Sequence, residues 1–140
     1  MDFAEFYALM PPDNPALVFP GDVVQFPRDG PSSGSGVILR FGSSTFAFVL
    51  NAAGTYRVSF KVAVDEAGQL ELVLNGLPLG YTVVGRATGT TQIVGEALVQ
   101  TTVPSVFGVV NPVGDPALTI TPNAGGLDPV SASLVIERIQ

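Results

Sequence analysis

The chain has no cysteine, no histidine and no tryptophan, and only six basic and twelve acidic residues among 140. That is 13% charge, against a norm of roughly a quarter. Each shortage excludes something. Without cysteine no disulfide framework staples the fold. Without imidazole or thiolate there is no zinc site of the usual kind, and neither a Ser-His-Asp nor a Cys-His nucleophile can be assembled. Lys61 is the sole lysine. A Ser-Lys pair would need Ser43 or Ser59 beside it, and on a strand Ser59 and Lys61 share a face. The reading is of a protein that is not an enzyme.

Long apolar runs are missing too. The longest, such as residues 46–50, are far short of the ~20 that span a bilayer, so no membrane insertion is expected. The cations Arg28, Arg40, Arg57, Lys61, Arg86 and Arg138 form no cluster, and the net charge of -6 repels nucleic acid and anionic lipid. The opening Met1-Asp-Phe-Ala-Glu carries acid where an export signal carries base. No cofactor is expected. Calcium is the one metal the residues allow, because Asp13, Asp22, Asp29, Asp115 and Asp128 sit in turn-rich stretches. No EF-hand spacing is present, and Asp beside Pro or Gly also serves simply as a turn former. The glycine pairs at 34–36 and 85–89 lack a following helix and read as loops rather than phosphate cradles.

What is abundant is strand and turn chemistry. Sixteen glycines and twelve prolines run from end to end and leave no room for long helices. Residues 54–64 alternate without error, with Tyr56, Val58, Phe60, Val62 and Val64 on one side and Arg57, Ser59 and Lys61 on the other. Residues 69–74 repeat the pattern and stop at Asn75-Gly76. Further strands are expected at 4–10, 17–19, 23–26, 37–41, 45–50, 81–86, 91–102, 105–111, 117–121 and 132–139, with 29–36 a flexible surface loop. Spacing near ten residues predicts one all-β domain over 1–140, an antiparallel sandwich or jelly roll of about ten strands.

The late strands carry apolar residues on both sides. Val94 and Leu98 stand among Gln92, Glu96 and Gln100; Val135 and Ile139 flank Glu137; residues 105–111 are apolar on each face. An isolated two-layer sandwich buries one face of each sheet, so the second face needs another partner. With so few charges for a 14.5 kDa surface, the expected cover is copies of the same chain. Seven aromatics near loops or edges (Phe3, Phe6, Tyr7, Phe19, Phe26, Phe41, Tyr81) could instead stack on sugars, or fill the core.

The stretch Asn51-Ala-Ala-Gly54-Thr-Tyr56-Arg-Val58-Ser-Phe60 resembles the Gly-x-Tyr strand of the tumour-necrosis-factor and complement C-one-q jelly rolls. Leu72-Val-Leu-Asn-Gly76-Leu-Pro78, residues 93–105 and the closing Ala132-Ser-Leu-Val-Ile-Glu-Arg-Ile139 look like one branch, the C-terminal domain of the BclA-type collagen-like exosporium glycoproteins of spore formers. The resemblance implies a ten-stranded jelly roll, a compact, heat-stable homotrimer and a structural role at the spore surface. Members of that family are laid down from the mother-cell cytoplasm without export, and they follow a Gly-X-Y stalk that these residues lack. A glycan or protein receptor bound through loops, as complement-type heads do, is the alternative. Carried over by position, the trimer face comprises Phe6, Arg57, Ser59, Lys61, Val94, Glu96, Leu98, Val135, Glu137 and Ile139. Arg57 or Lys61 would pair with Glu96 or Glu137 across subunits, since desolvated charges need partners; otherwise this polar side faces water.

Overall fold

The structure, a computed structural model, describes residues 1–87, 92–121, 126–127 and 129–140. The strands are β1 (Phe3–Leu9), β2 (Leu17–Val18), β3 (Arg28–Ser32), β4 (Ile38–Arg40), β5 (Phe48–Leu50), β6 (Gly54–Ala63), β7 (Gly68–Leu74), β8 (Leu77–Pro78), β9 (Val84–Arg86), β10 (Gln92–Thr101), β11 (Ser105–Val110), β12 (Leu118–Thr119) and β13 (Val130–Arg138). One sheet runs β10-β6-β13-β1-β3. A second runs β4-β5-β11-β7-β8, with β9 also on β7, and β2 pairs β12. Every ladder is antiparallel. This is the all-β jelly roll that the alternation and turn spacing predict.

Period two explains the core. On β6, Tyr56, Val58, Phe60 and Val62 point inward and are buried, as are Leu134 and Ile136 of β13 and Leu70 and Leu72 of β7. Phe48 sits at the centre, its ring centroid 4.6 Å from Phe6, 5.8 Å from Phe107 and 6.1 Å from Phe26. Arg40 closes this cluster, with its guanidinium 4.9 Å above the Phe6 ring. Its donors go to the Phe26 and Ser44 carbonyls and to Asp29. A cation can lie over the core because its fixed fork finds oxygens at the rim.

The Gly-x-Tyr motif has a local cause. A Cβ at Gly54 would meet the Gln140 carbonyl, so glycine lets the last residue of the chain pass. Tyr56 is buried and its hydroxyl donates to the Ala52 carbonyl at 2.6 Å, which satisfies the one polar atom that the ring carries into the interior.

Three sequence expectations change. The strand expected at 81–86 covers only Val84–Arg86, since Gly80–Thr82 form a turn of 3-10 helix. Residues 23–26 form no strand; only Val23 makes a bridge, to Val110. Asn14 takes up the backbone of Gln25 instead, accepting from its N–H at 2.9 Å and donating to its carbonyl at 3.0 Å. Residues 29–36 are not all loop, because β3 borders β1 as the edge of the first sheet. An edge tolerates Gly30 and Pro31, since Pro need donate nothing on the open side. The turn expected at 122–129 lies mostly outside the described residues, as does Thr91.

Candidate functional site

The site builds from the register of the first sheet. Val94 lies opposite Lys61, which lies opposite Ser133, which lies opposite Tyr7. The next row outward is Glu96, Ser59, Val135 and Glu5, and the third is Leu98, Arg57, Glu137 and Phe3. Nine of the ten expected face residues therefore share one side, Ile139 extending it just past β13. The sheet brings together residues from four strands that are distant in sequence.

Phe6 is the exception and a correction. It is buried against Phe48 inside the protomer, and β1 shows Phe3, Glu5 and Tyr7 to the outside instead. Phe6 and Tyr7 are consecutive aromatics, so they must take opposite faces. The small neighbours Ala4 and Ala8 turn inward with Phe6 because the space above β1 is taken by rings from the second sheet. That crowding is tertiary, and a single strand does not reveal it.

Val94 is 57% exposed and Leu98 52%, unusual for aliphatic residues in the middle of a regular ladder. Phe3 and Ile139 are also exposed. A shallow cleft of about 400 Å³ lies at the centre of the face, walled by Glu5, Ser59, Lys61, Val94, Glu96 and Val135. Tyr81 lies at the edge and donates its hydroxyl to the Leu98 carbonyl at 2.7 Å. Sequence reasoning did not place Glu5 here; the alternation of β1 would have, once Phe6 was assigned inward.

The charges on this face meet within one chain. Arg57 Nε is 3.8 Å from Glu96 Oε1, and the Ser59 hydroxyl donates to Glu96 Oε2 at 3.2 Å. Glu137 is the register partner of Arg57. The pairing expected across subunits is thus already available, loosely, inside the protomer. The Ser59 hydroxyl is thus engaged with Glu96 rather than with Lys61.

The calcium candidates divide. Asp13 is held by Arg28 at 2.6 Å and by the Leu9 N–H; the Arg28 hydrogen bond keeps its carboxyl below the usual range despite burial. Asp29 pairs with Arg40. Asp22 is exposed, and Asp128 lies outside the described residues. Asp115 alone of the four described keeps a buried oxygen with no donor. Of the aromatic candidates, Phe3, Phe19, Phe41 and Tyr81 are exposed, whereas Phe6 and Phe26 are core.

The sequence matches no protein-family model and no curated protein. Solved structures do match. The globular domain of the zebrafish complement 1qA protein superposes with a TM-score of 0.66 at 11% identity, covering 100% of this chain and 98% of that one. The Eiger tumour necrosis factor of S. frugiperda gives 0.63 at 12% identity, covering 99% and 92%. Murine APRIL gives 0.60 at 10% identity, covering 99% and 98%. The fold is that of the complement C1q and tumour-necrosis-factor jelly rolls.

Proposed function

We propose that three copies of this chain pack the outward faces of their first sheets around a common axis. The assembly is a non-catalytic head that holds a trimer together and presents a stable surface. The observation that carries this is the exposure of Val94 and Leu98 in the centre of an ordered ladder, where none of the described residues covers them. Covering even a few hundred Å² of such surface contributes on the order of 5–10 kcal/mol before the entropic cost of association. Both charge signs occur on the face, so copies can meet without leaving a one-signed field between them.

The finer reading, a spore-surface head of the exosporium collagen-like glycoprotein type, rests on the residues that resemble that branch. Antibody labelling of intact spores tests it: label confined to the interior overturns the placement. The assembly itself is tested by light scattering at micromolar concentration. A mass three times that of the chain supports the trimer; a lone chain that stays soluble and stable overturns it.

A recognition role is the second reading. Phe19 and Phe41 are more than half exposed and neither lies on the first sheet, so they remain available in a trimer. Glycan binding lost on Phe41→Ala separates this reading from a purely structural one.

A further inference from the structure

The two ends of the first sheet are β10 and β3, and they are protected unequally. β3 has five residues, among them Pro31, Arg28 and Asp29, and both proline and charge discourage pairing with a foreign strand. β10 has ten residues, no proline, no lysine and one charge, Glu96. The end strands of the second sheet, β4 and β8, have only three and two residues. Among the described residues β10 is therefore the longest open edge.

Which of its backbone groups are free follows from the ladder. Thr55 of β6 spends its N–H and carbonyl on Ile139 and Gln140, on the β13 side. Backbone groups alternate between the two neighbours along an antiparallel strand. Tyr56, Val58, Phe60 and Val62 thus turn theirs to β10, where Val99, Ala97, Gly95 and Ile93 are their register partners. Val94, Glu96, Leu98 and Gln100 are left with N–H and carbonyl aimed away from the sheet. Leu98 agrees, since its carbonyl accepts the Tyr81 hydroxyl at 2.7 Å. Among the described residues no other hydrogen bond reaches that edge.

Tyr81 is placed from the opposite sheet. It lies in the turn Gly80–Thr82, and Thr82 is buried. The Thr82 hydroxyl donates to the Leu79 carbonyl at 2.7 Å and accepts from the Leu72 N–H of β7 at 2.9 Å. β9 then continues along β7, and both it and the turn lie against β10. The turn is thus bolted to β7 by Thr82 and reaches β10 through Tyr81. Tyr81 itself is 67% exposed, so its bond to Leu98 is made at the surface, where an incoming strand would have to pair.

We propose that Tyr81 is an edge guard: by occupying Leu98 it keeps β10 of a second copy from pairing with this one. Another copy is the partner this edge fits. Antiparallel pairing of β10 with itself closes on a two-fold axis, and it would extend the Val94–Leu98 face continuously from one chain into the next. The guard limits growth beyond the native particle, whatever the number of chains in that particle.

The test is light scattering over a concentration series, with wild type, Tyr81→Ala and Tyr81→Phe each checked for folding by circular dichroism. Wild type should hold one mass. Tyr81→Ala should rise to at least twice that mass as concentration increases, and Tyr81→Phe, which keeps the ring and loses the bond, should follow at higher concentration. In the associated protein, hydrogen exchange should show the amides of Val94, Glu96, Leu98 and Gln100 gaining protection. If Tyr81→Ala does not fold, Tyr81→Phe decides. Variants that keep the wild-type mass throughout overturn the guard, and so does association that leaves those amides unprotected. A wild-type mass other than three chains bears on the trimer alone.

Discussion

The outward faces of the two sheets solve the same problem differently. The first carries Glu5, Arg57, Lys61, Glu96 and Glu137 around aliphatic residues more than half exposed. The second carries Leu39, Val49 and Val106 in one row and Val73 beside Gly108 in the next, with Glu71 as its buried acid. β11 was expected to need a foreign partner for its second apolar side. Its own chain supplies much of that cover: Val23 bridges Val110, and Phe46 lies with Val73, Val106 and Val110 around a small apolar groove of about 150 Å³. Val106 and Val110 are consequently half-buried, where Val94 and Leu98 are not. Apolar residues on both sides of a strand therefore do not by themselves call for another subunit. What matters is whether a loop returns over them.

The largest test of that contrast is a charge on each face. Val94→Glu should convert a trimer to single chains, read as a threefold fall in mass by light scattering, while Leu39→Glu should leave the mass unchanged. If both faces respond alike, the distinction between them fails.

Next comes the strand that carries the first face. A Cβ on Gly95 would strike the Phe60 ring, its cross-strand partner. Gly95→Ala should cost about 1–3 kcal/mol through overpacking, seen as a lower denaturation midpoint. Gly108 on the second sheet meets only the Phe46 carbonyl, at 3.0 Å, and Gly108→Ala should cost less.

Acid should separate the faces further. Burial and Asp115 raise Glu71 above its ordinary value, 4.5. A raised acid penalises the folded state when ionised, so stability should increase as pH falls through its folded pKa. Asp13, lowered from 3.8 chiefly by Arg28, acts in the opposite sense: its contribution is present above 3.8 and is lost as pH falls through the depressed value. Glu66 behaves like Asp13: burial, the largest single influence, would raise it, but hydrogen bonds from Thr119 and its own backbone, with the charge of Arg86, together hold it lower. Melting against pH should thus pass through a maximum in weak acid, with the upper slope flattened in Glu71→Gln and the lower slope shallower in Asp13→Asn.

The smallest effect concerns the exposed ion pair. Arg57 and Glu96 are both well solvated, and such pairs contribute about 0–1 kcal/mol. Glu96→Leu should leave melting of a dissociated chain within that range and leave the trimer intact. Loss of the trimer would show that these charges set the interface rather than tolerate it.

Sequence alone determined which residues travel together. Alternation in residues 54–64 defined the inward set Tyr56, Val58, Phe60 and Val62, and the outward set Arg57, Ser59 and Lys61, because a strand's period of two is a property of its backbone. Turn chemistry defined where strands stop, and Gly54 with Tyr56 signalled a fixed corner. The tertiary structure decided which set faces the core when both are apolar. Phe6 rather than Tyr7 turned inward, where the Phe48 ring of the opposite sheet packs against it, 4.6 Å between centroids. A Gly-Pro stretch at 28–32 became an edge strand because β1 offered it a ladder, and β11 gained cover from Val23 and Phe46. The physical reason is the same each time: periodicity is local, but burial depends on what chain, near or distant in sequence, comes to lie against each side.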